Sequence, residues 1–372
     1  MRRIVLLVSS LGGGGAERVA ATLGNAWARS GAEVVIVPTF LGDHRSAYPL
    51  EPGVRIVWLS DRMNSGGFIG KLRALRGLVR ELEPEIVISF LTNVNVVALL
   101  ALAGVRVPLV ISERVDPAAS VEMSWVLRLA RRALYQFADA LVVQTNEAAM
   151  RYRALLVRPP PTIVIPNPLP ASLDASSTRA APAASGGGQL TAMGRLTSQK
   201  QFDLLIHAFS KAFATEQTWT LSIWGEGPLR HRLQQLIDEL GLNGRVQLCG
   251  STTQPWAVLA SAQMFVLSSA YEGFPNAMLE AMALGLPCVA FDCPSGPRDL
   301  AAGDVALLVP PQDVDALART MKALAQDSER RLELGRAAAE SVRSRFSEAA
   351  VLAQWQKIFE RCGSGRASSS PV

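Results

Sequence analysis

Short apolar runs alternate with helical patterns along almost the whole chain, and this alternation restricts the fold more than any other feature. Ile4–Val8, Glu33–Val37, Ile86–Phe90, Leu109–Ser112 and Ala140–Gln144 read as strands; Ala16–Arg29, Ile69–Leu82 and Ser124–Phe137 read as helices. Such alternation implies parallel strands with right-handed crossovers, a doubly wound sheet. Around Pro159–Pro161 the composition shifts. After Ile163-Val-Ile-Pro-Asn-Pro168 comes Ala171–Gly188, rich in Ala, Ser, Pro and Gly, which reads as a linker or flexible loop. The series then restarts, with strands expected at Leu190–Met193, Thr220–Trp224, Val246–Cys249, Met264–Leu267, Pro287–Phe291 and Ala306–Val309. Helices are expected between them at Phe202–Ala214, Pro228–Leu240 and Asn276–Leu284. The chain is thus expected to be α/β, with two Rossmann-like domains, 1–168 and 189–345, joined by 169–188 and facing across a cleft where ligands of such folds bind. The last helices run from about Val314 to Phe359; 346–362 is expected to pack back on the first domain and 363–372 to form a disordered tail.

With 372 residues, 49% apolar and 19% charged, the chain can bury two sizeable cores, which excludes extended disorder. Charge is uneven: residues 1–168 carry 19 basic and 13 acidic side chains, and the remainder 18 and 19. The first half therefore suits an anionic partner better than the second. Cys249, Cys288, Cys293 and Cys362 form no CxxC pair, so neither a disulfide framework nor a zinc knuckle is expected, and a reducing cytosol fits. MRRIVLLVSS reads as a first strand rather than a signal peptide. Ile86–Val105 has 20 residues without a charge, the length of a membrane span, but Ser89, Thr92, Asn93 and Asn95 interrupt it. Strand, loop and buried helix is the better reading.

Three segments carry candidate chemistry. Ser9-Ser-Leu-Gly-Gly-Gly-Gly-Ala-Glu-Arg18 lies between a strand and a helix, where glycines either admit a phosphate to backbone N–H groups or simply make a tight turn. A dinucleotide fingerprint is disfavoured: counting from Gly13 and Gly15, the third glycine position holds Arg18, and no acid ends the second strand. Gly194-Arg-Leu-Thr-Ser-Gln-Lys200 leaves a strand's carboxyl end, so Arg195 and Lys200 either converge on a diphosphate or stay solvated. In Glu272-Gly-Phe-Pro-Asn-Ala-Met-Leu-Glu280, Pro275 suits a helix's first turn, placing Glu272 in the preceding loop and Glu280 inside the helix. The two carboxylates either accept hydrogen bonds from vicinal hydroxyls beside a phosphate at the helix start, or are surface charges.

GGGGAERV, IPNP, GRLTSQK, GEGPLR, RVQLCG and YEGFPNAMLEAMALGLPCVAFDCPSGPRDL occur in this order over nearly the whole chain. In these motifs the sequence resembles the retaining family 4 glycosyltransferases of GT-B fold, above all the bacterial branch that builds lipid-linked oligosaccharide, exopolysaccharide or O-antigen. The resemblance implies that Arg195 and Lys200 hold the diphosphate of a nucleotide sugar, Glu280 its ribose hydroxyls and Glu272 the hydroxyls of the transferred sugar. Gly273, Phe274, Pro275, Asn276 and Ala277 would contact the sugar and β-phosphate. Gly225 and Gly250 would line the base pocket, and Gly13 and Gly14 would close over the phosphates. Retention in this family is attributed to a leaving phosphate that helps to deprotonate the acceptor, so no protein nucleophile is demanded. Charge stabilisation and orientation then supply the catalysis. No metal or cofactor is expected beyond the donor, a UDP-sugar or GDP-sugar, with UDP the first choice.

Many relatives carry a histidine after the first domain's fourth strand, where this chain reads Ile111-Ser-Glu-Arg-Val-Asp116; its histidines are His44, His207 and His231. Glu113 and Arg114 are expected there instead, serving the acceptor or its phosphate, with Glu113 counted among the catalytic groups; a local ion pair is the alternative. Lys71–Arg80 and Trp125–Tyr135 read as basic amphipathic helices, suited either to transient contact with anionic lipid or to a plain surface. The expected enzyme moves a hexose or N-acetylhexosamine to a lipid-linked glycan in the cytoplasm, peripheral on the inner face of the membrane; nucleic acid is not an expected partner. The rivals are a sugar-nucleotide epimerase or phosphorylase of the same fold, and a non-catalytic nucleotide-binding scaffold.

Overall fold

The computed structural model describes residues 2–12, 14–40, 44–63, 66–117, 123–174 and 187–367. They divide into two units, Met1–Pro168 with Glu348–Val372, and Leu169–Ser347.

In the first unit β1 (Arg3–Val8), β2 (Glu33–Pro38), β3 (Val54–Ile56), β4 (Ile86–Phe90), β5 (Leu109–Ser112), β6 (Ala140–Val143) and β7 (Thr162–Val164) form one parallel sheet in the order β3-β2-β1-β4-β5-β6-β7. Its crossovers carry α1 (Gly15–Arg29), α2 (Gly67–Leu82), α3 (Thr92–Ala101), α4 (Trp125–Leu134) and α5 (Asn146–Leu155). Both faces of the sheet are covered. Val5, Leu7, Val87 and Ile111 belong to one apolar cluster, while their neighbours Ile4, Leu6, Ile88 and Val110 belong to the other. Burial on both sides explains why these strands read as continuous apolar runs rather than alternating ones. The uncharged stretch from Ile86 becomes β4 and α3, and α3 buries Val94, Val96, Val97 and Ala98 in the sheet's own core. Among the described residues no helix is long and apolar enough to cross a membrane.

The second unit runs α6 (Ala171–Asp174), β8 (Gly188–Met193), α7 (Phe202–Ala212), β9 (Trp219–Trp224), α8 (Arg230–Glu239), β10 (Val246–Gly250), α9 (Pro255–Ser261), β11 (Met264–Leu267), α10 (Asn276–Ala283), β12 (Cys288–Phe291), α11 (Pro297–Leu300), β13 (Leu307–Val309), α12 (Val314–Gln326) and α13 (Ser328–Phe346). Its parallel strands lie in the order β10-β9-β8-β11-β12-β13. The carboxylates of Asp313 and Asp327 accept hydrogen bonds from the amides of Ala316 and Arg330, each at 2.8 Å, fixing where α12 and α13 begin. α14 (Glu348–Ala367) then belongs to the first unit, where Val351, Trp355 and Ile358 join the cluster that contains α1. The Trp355 ring meets Trp27 edge-on at 5.6 Å between centroids.

Three boundaries differ from expectation. The start of the supposed linker is structured, because Leu169 and Leu173 are apolar and buried in the second unit's core; 175–186 lie outside the described residues. α14 continues to Ala367, past Gly363 where the tail is expected to begin, since each added helical residue gains one backbone hydrogen bond once the helix is nucleated. The rest of the tail, 368–372, lies outside the described residues. The helix expected to end at Phe137 stops at Leu134 and tightens into a 3-10 turn over Tyr135–Phe137.

Candidate active site

In the second unit the strand order reverses between β8 and β11, and ligands of open parallel sheets bind beyond the carboxyl ends at such a reversal. Two loops meet there. Lys200, at the end of the turn after β8, donates from Nζ to Oε1 of Glu272, in the loop after β11, at 2.6 Å. The Ser269 hydroxyl donates to the same oxygen at 2.6 Å. The loops are tied by Ser268 Oγ donating to the Lys200 carbonyl at 2.7 Å and by the Ala270 amide donating to the Gln199 carbonyl at 2.8 Å. Glu272 is buried, 6% exposed, and its amide donates to the Pro294 carbonyl in the loop after β12. Arg195 is not drawn into this cluster: it is exposed and makes no ion pair among the described residues.

The backbone beside the pair is held in an unusual conformation. Ser295 and Gly296 have φ of +65° and +111°, and a Cβ on Gly296 would lie 2.4 Å from Pro275 Cδ. Only a glycine lets this loop press against Phe274 and Pro275. Phe274 is buried against Phe346, and the Ser295 hydroxyl donates to the Gly273 carbonyl at 3.4 Å. α10 then begins at Asn276, with Pro275 as its N-cap, and among the described residues the amides of Ala277 and Met278 have no backbone acceptor. They are the open donors of a helix start. Further along α10, Glu280 is 2% exposed and its Oε2 accepts from the Trp256 indole N–H at 3.2 Å.

Gly225 and Gly250, at the ends of β9 and β10, are joined by a Gly225 amide to Gly250 carbonyl bond of 2.8 Å. A Cβ on Gly225, at φ +142°, would fall 1.9 Å from the Gly194 carbonyl oxygen, so the turns after β8 and β9 touch backbone to backbone. Cys293 stands close by. Burial and the Glu272 carboxylate push its thiol up to about 12, leaving it protonated and a poor nucleophile.

The first unit has its own reversal between β1 and β4. Gly13 lies outside the described residues. Next to it, the Glu17 carboxylate accepts from the hydroxyls of Ser9 at 3.1 Å and Ser10 at 3.3 Å, and a Cβ on Gly14 would lie 2.0 Å from Glu17 Oε2. An anion therefore already sits against the start of α1, and a phosphate closing on Gly14 has to move it. Glu113 and Arg114 diverge at the end of β5, as consecutive residues of an extended segment do. Glu113 points inward, 2% exposed, with Oε1 accepting from Thr92 Oγ1 at 2.7 Å, Asn95 Nδ2 at 3.5 Å and the Tyr135 hydroxyl. Burial raises its pKa against the pull of these donors. Arg114 turns the other way, 4.5 Å over the Phe90 ring, and donates from Nη1 to Asn167 Oδ1 at 2.5 Å. Its Nε and Nη2 are buried without a partner, and burial lowers the guanidinium pKa to about 9. The two residues make no ion pair with each other, which removes the local-pair alternative.

The two basic helices also part company. α2 leaves Phe68 and Ile69 exposed in its first turn, but over the basic stretch Lys71–Arg80 and beyond it buries Leu75, Leu78, Val79 and Leu82, as a plain surface helix does. α4 leaves Trp125 72%, Val126 56% and Leu129 58% exposed, beside the exposed Arg128 and Arg132.

Ser269, Ser295, Gly296 and Trp256 were not singled out by sequence. The Ser-Ser pair before Tyr-Glu-Gly offered a local signal for Ser269; Trp256 and the Ser295-Gly296 backbone had none, because their roles depend on segments remote in the chain.

Residues 14–168 match the glycosyl transferase 4-like domain, and residues 178–341 the glycosyl transferases group 1 domain. The chain is 35% identical over 231 residues to the exopolysaccharide phosphotransferase of Streptomyces coelicolor, covering 61% of this chain and 24% of that protein, so it spans about a quarter of that relative's length. It is 27% identical over 370 residues to a Campylobacter jejuni enzyme, GalNAc-alpha-(1->4)-GalNAc-alpha-(1->3)-diNAcBac-PP-undecaprenol alpha-1,4-N-acetyl-D-galactosaminyltransferase, covering 96% of this chain and 98% of that one. Among solved structures, Anabaena HepE in complex with UDP and glucose shares the fold, with a TM-score of 0.77 at 21% identity over 98% of this chain and 100% of that one.

Proposed function

We infer from a chain that belongs to the GT-B glycosyltransferases, a glycosyl transferase 4-like domain followed by a glycosyl transferases group 1 domain, that it transfers a hexose or N-acetylhexosamine from a UDP-sugar to a lipid-linked glycan with retention. The family membership rests on the two domain matches; the part played in polysaccharide and lipid-linked glycan biosynthesis, the donor, the acceptor and the stereochemistry are the proposal. The observation that carries it is the Lys200–Glu272 pair at the strand-order reversal, beside the open amides of α10. A diphosphate there meets a cation and helix-start donors, while Glu272 and Glu280 accept from sugar and ribose hydroxyls. Arg195, exposed on the same loop as Lys200, is free to swing onto the diphosphate. Arg114, with two unpartnered N–H groups, suits an anionic acceptor group. Glu113, wrapped by three donors, orders the loop that carries Arg114 rather than meeting substrate itself. That UDP accompanies glucose in Anabaena HepE, and that the Campylobacter jejuni relative is named for a diphosphoundecaprenol glycan, support UDP and the lipid-linked acceptor.

The purified chain, given UDP-sugars and a lipid-linked glycan acceptor, is expected to form an α-linked product from an α-linked donor, read from the anomeric proton by NMR. A β-linked product, or none from any nucleotide sugar, would overturn this function. For the membrane contact, the exposed apolar residues of α4 beside arginines fit the anionic bilayer surface at which a lipid-linked acceptor resides. Replacing Trp125 and Leu129 together by Ser should weaken binding to anionic phospholipid vesicles about tenfold or more, from the apolar area lost; unchanged co-sedimentation would remove α4 from the contact.

A further inference from the structure

Trp256 follows Pro255 at the start of α9, just beyond the carboxyl end of β10, and α9 packs with α10 in the apolar cluster that holds Leu259, Met278 and Met282. Its indole N–H reaches Oε2 of Glu280 at 3.2 Å, and Glu280 is 2% exposed. A carboxylate so deeply buried keeps its charge only if donors face it. An indole supplies one donor on a rigid ring and no acceptor, so it fixes one carboxylate oxygen without competing for hydroxyl donors. We propose that Trp256 is a positioning residue: it holds the Glu280 carboxylate in the orientation that accepts the ribose hydroxyls, and so sets the preference for a ribonucleotide over its deoxy counterpart. This rests on the reading of Glu280 as the ribose acceptor, and the experiment separates the two.

Calorimetric titration of the full chain with UDP and with 2′,3′-dideoxy-UDP, in wild type and Trp256→Phe, reads the effect directly. Wild type is expected to bind UDP at least about tenfold tighter than the dideoxy compound, the worth of hydrogen bonds to a charged group. Trp256→Phe keeps an aromatic ring, though a smaller one, and removes the donor; it should weaken UDP by about 5- to 10-fold and change the dideoxy compound far less. The donor KM should rise while kcat holds. Trp256→His, which retains a ring N–H, should recover part of the discrimination. An equal penalty on both ligands, or equal losses in the Phe and His variants, would overturn the proposal and leave Trp256 a packing residue. A wild type that does not distinguish the two ligands would overturn the ribose reading of Glu280, and the proposal with it.

Discussion

Lys200→Ala and Glu272→Gln are each expected to lower transfer by about 100-fold or more, the usual cost of removing one preorganised charge from a reacting centre. Lys200 is already aimed: its ammonium is 2.6 Å from Glu272, and the two side chains are 17% and 7% exposed. With little water around it, such a charge acts on a diphosphate far more strongly than a solvated lysine would. Removing it leaves the Glu272 carboxylate with the Ser269 hydroxyl, so Lys200→Ala should also lose about 1–3 kcal/mol of stability, the lower range for a pair that keeps one hydrogen bond and some solvent. Glu272→Gln retains the shape and the Ser269 contact, and should keep the fold while losing activity. Because the two residues act as one unit, the double variant should be little worse than the weaker single one. Transfer rates alongside melting temperatures test all of this. Activity within twofold of wild type in both single variants would mean that the site lies elsewhere.

Trp355→Ala is expected to destabilise the first unit by about 3–5 kcal/mol, the range for deleting a buried aromatic ring. Trp355 is fully buried in the cluster with Ile4, Leu6, Leu23 and Trp27, and it is the bulkiest of the fully buried side chains. Its indole N–H has no partner. Trp355→Phe therefore removes a costly buried donor along with some ring volume, and its loss should be less than half that of the Ala variant. Urea titration followed through hydrogen exchange of the β1 and β4 amides separates this unit from the other, which a single global transition would not. A Trp355→Ala chain whose first unit opens within 1 kcal/mol of wild type would show that α14 is merely laid on the surface.

Most strands legible in the sequence are those buried on both faces, and the half-exposed edge strands β10 and β13 were legible beside them. β1, β2, β4 and β11 are largely apolar runs, broken only by Arg3, Glu33 and Ser89, because a sheet covered by helices on both sides leaves no polar face. The edge strands β3 and β7, three residues each and none of them buried, carry no such pattern, and hydrogen bonding to a neighbouring strand alone defines them. Within the candidate site, the sequence by itself determined the residues proposed to carry chemistry and their local setting: Lys200 in a loop after a strand, Glu272 before a helix and Glu280 within it. What only the tertiary structure decided was their partners. Lys200 and Glu272, 72 residues apart, touch because the order of strands reverses between β8 and β11; Trp256 reaches Glu280 because α9 lies on α10; and Glu113 and Arg114, adjacent in sequence, face opposite sides of β5. Residue type and local period are written along the chain, but adjacency across a sheet is set by strand order, which no local spacing encodes.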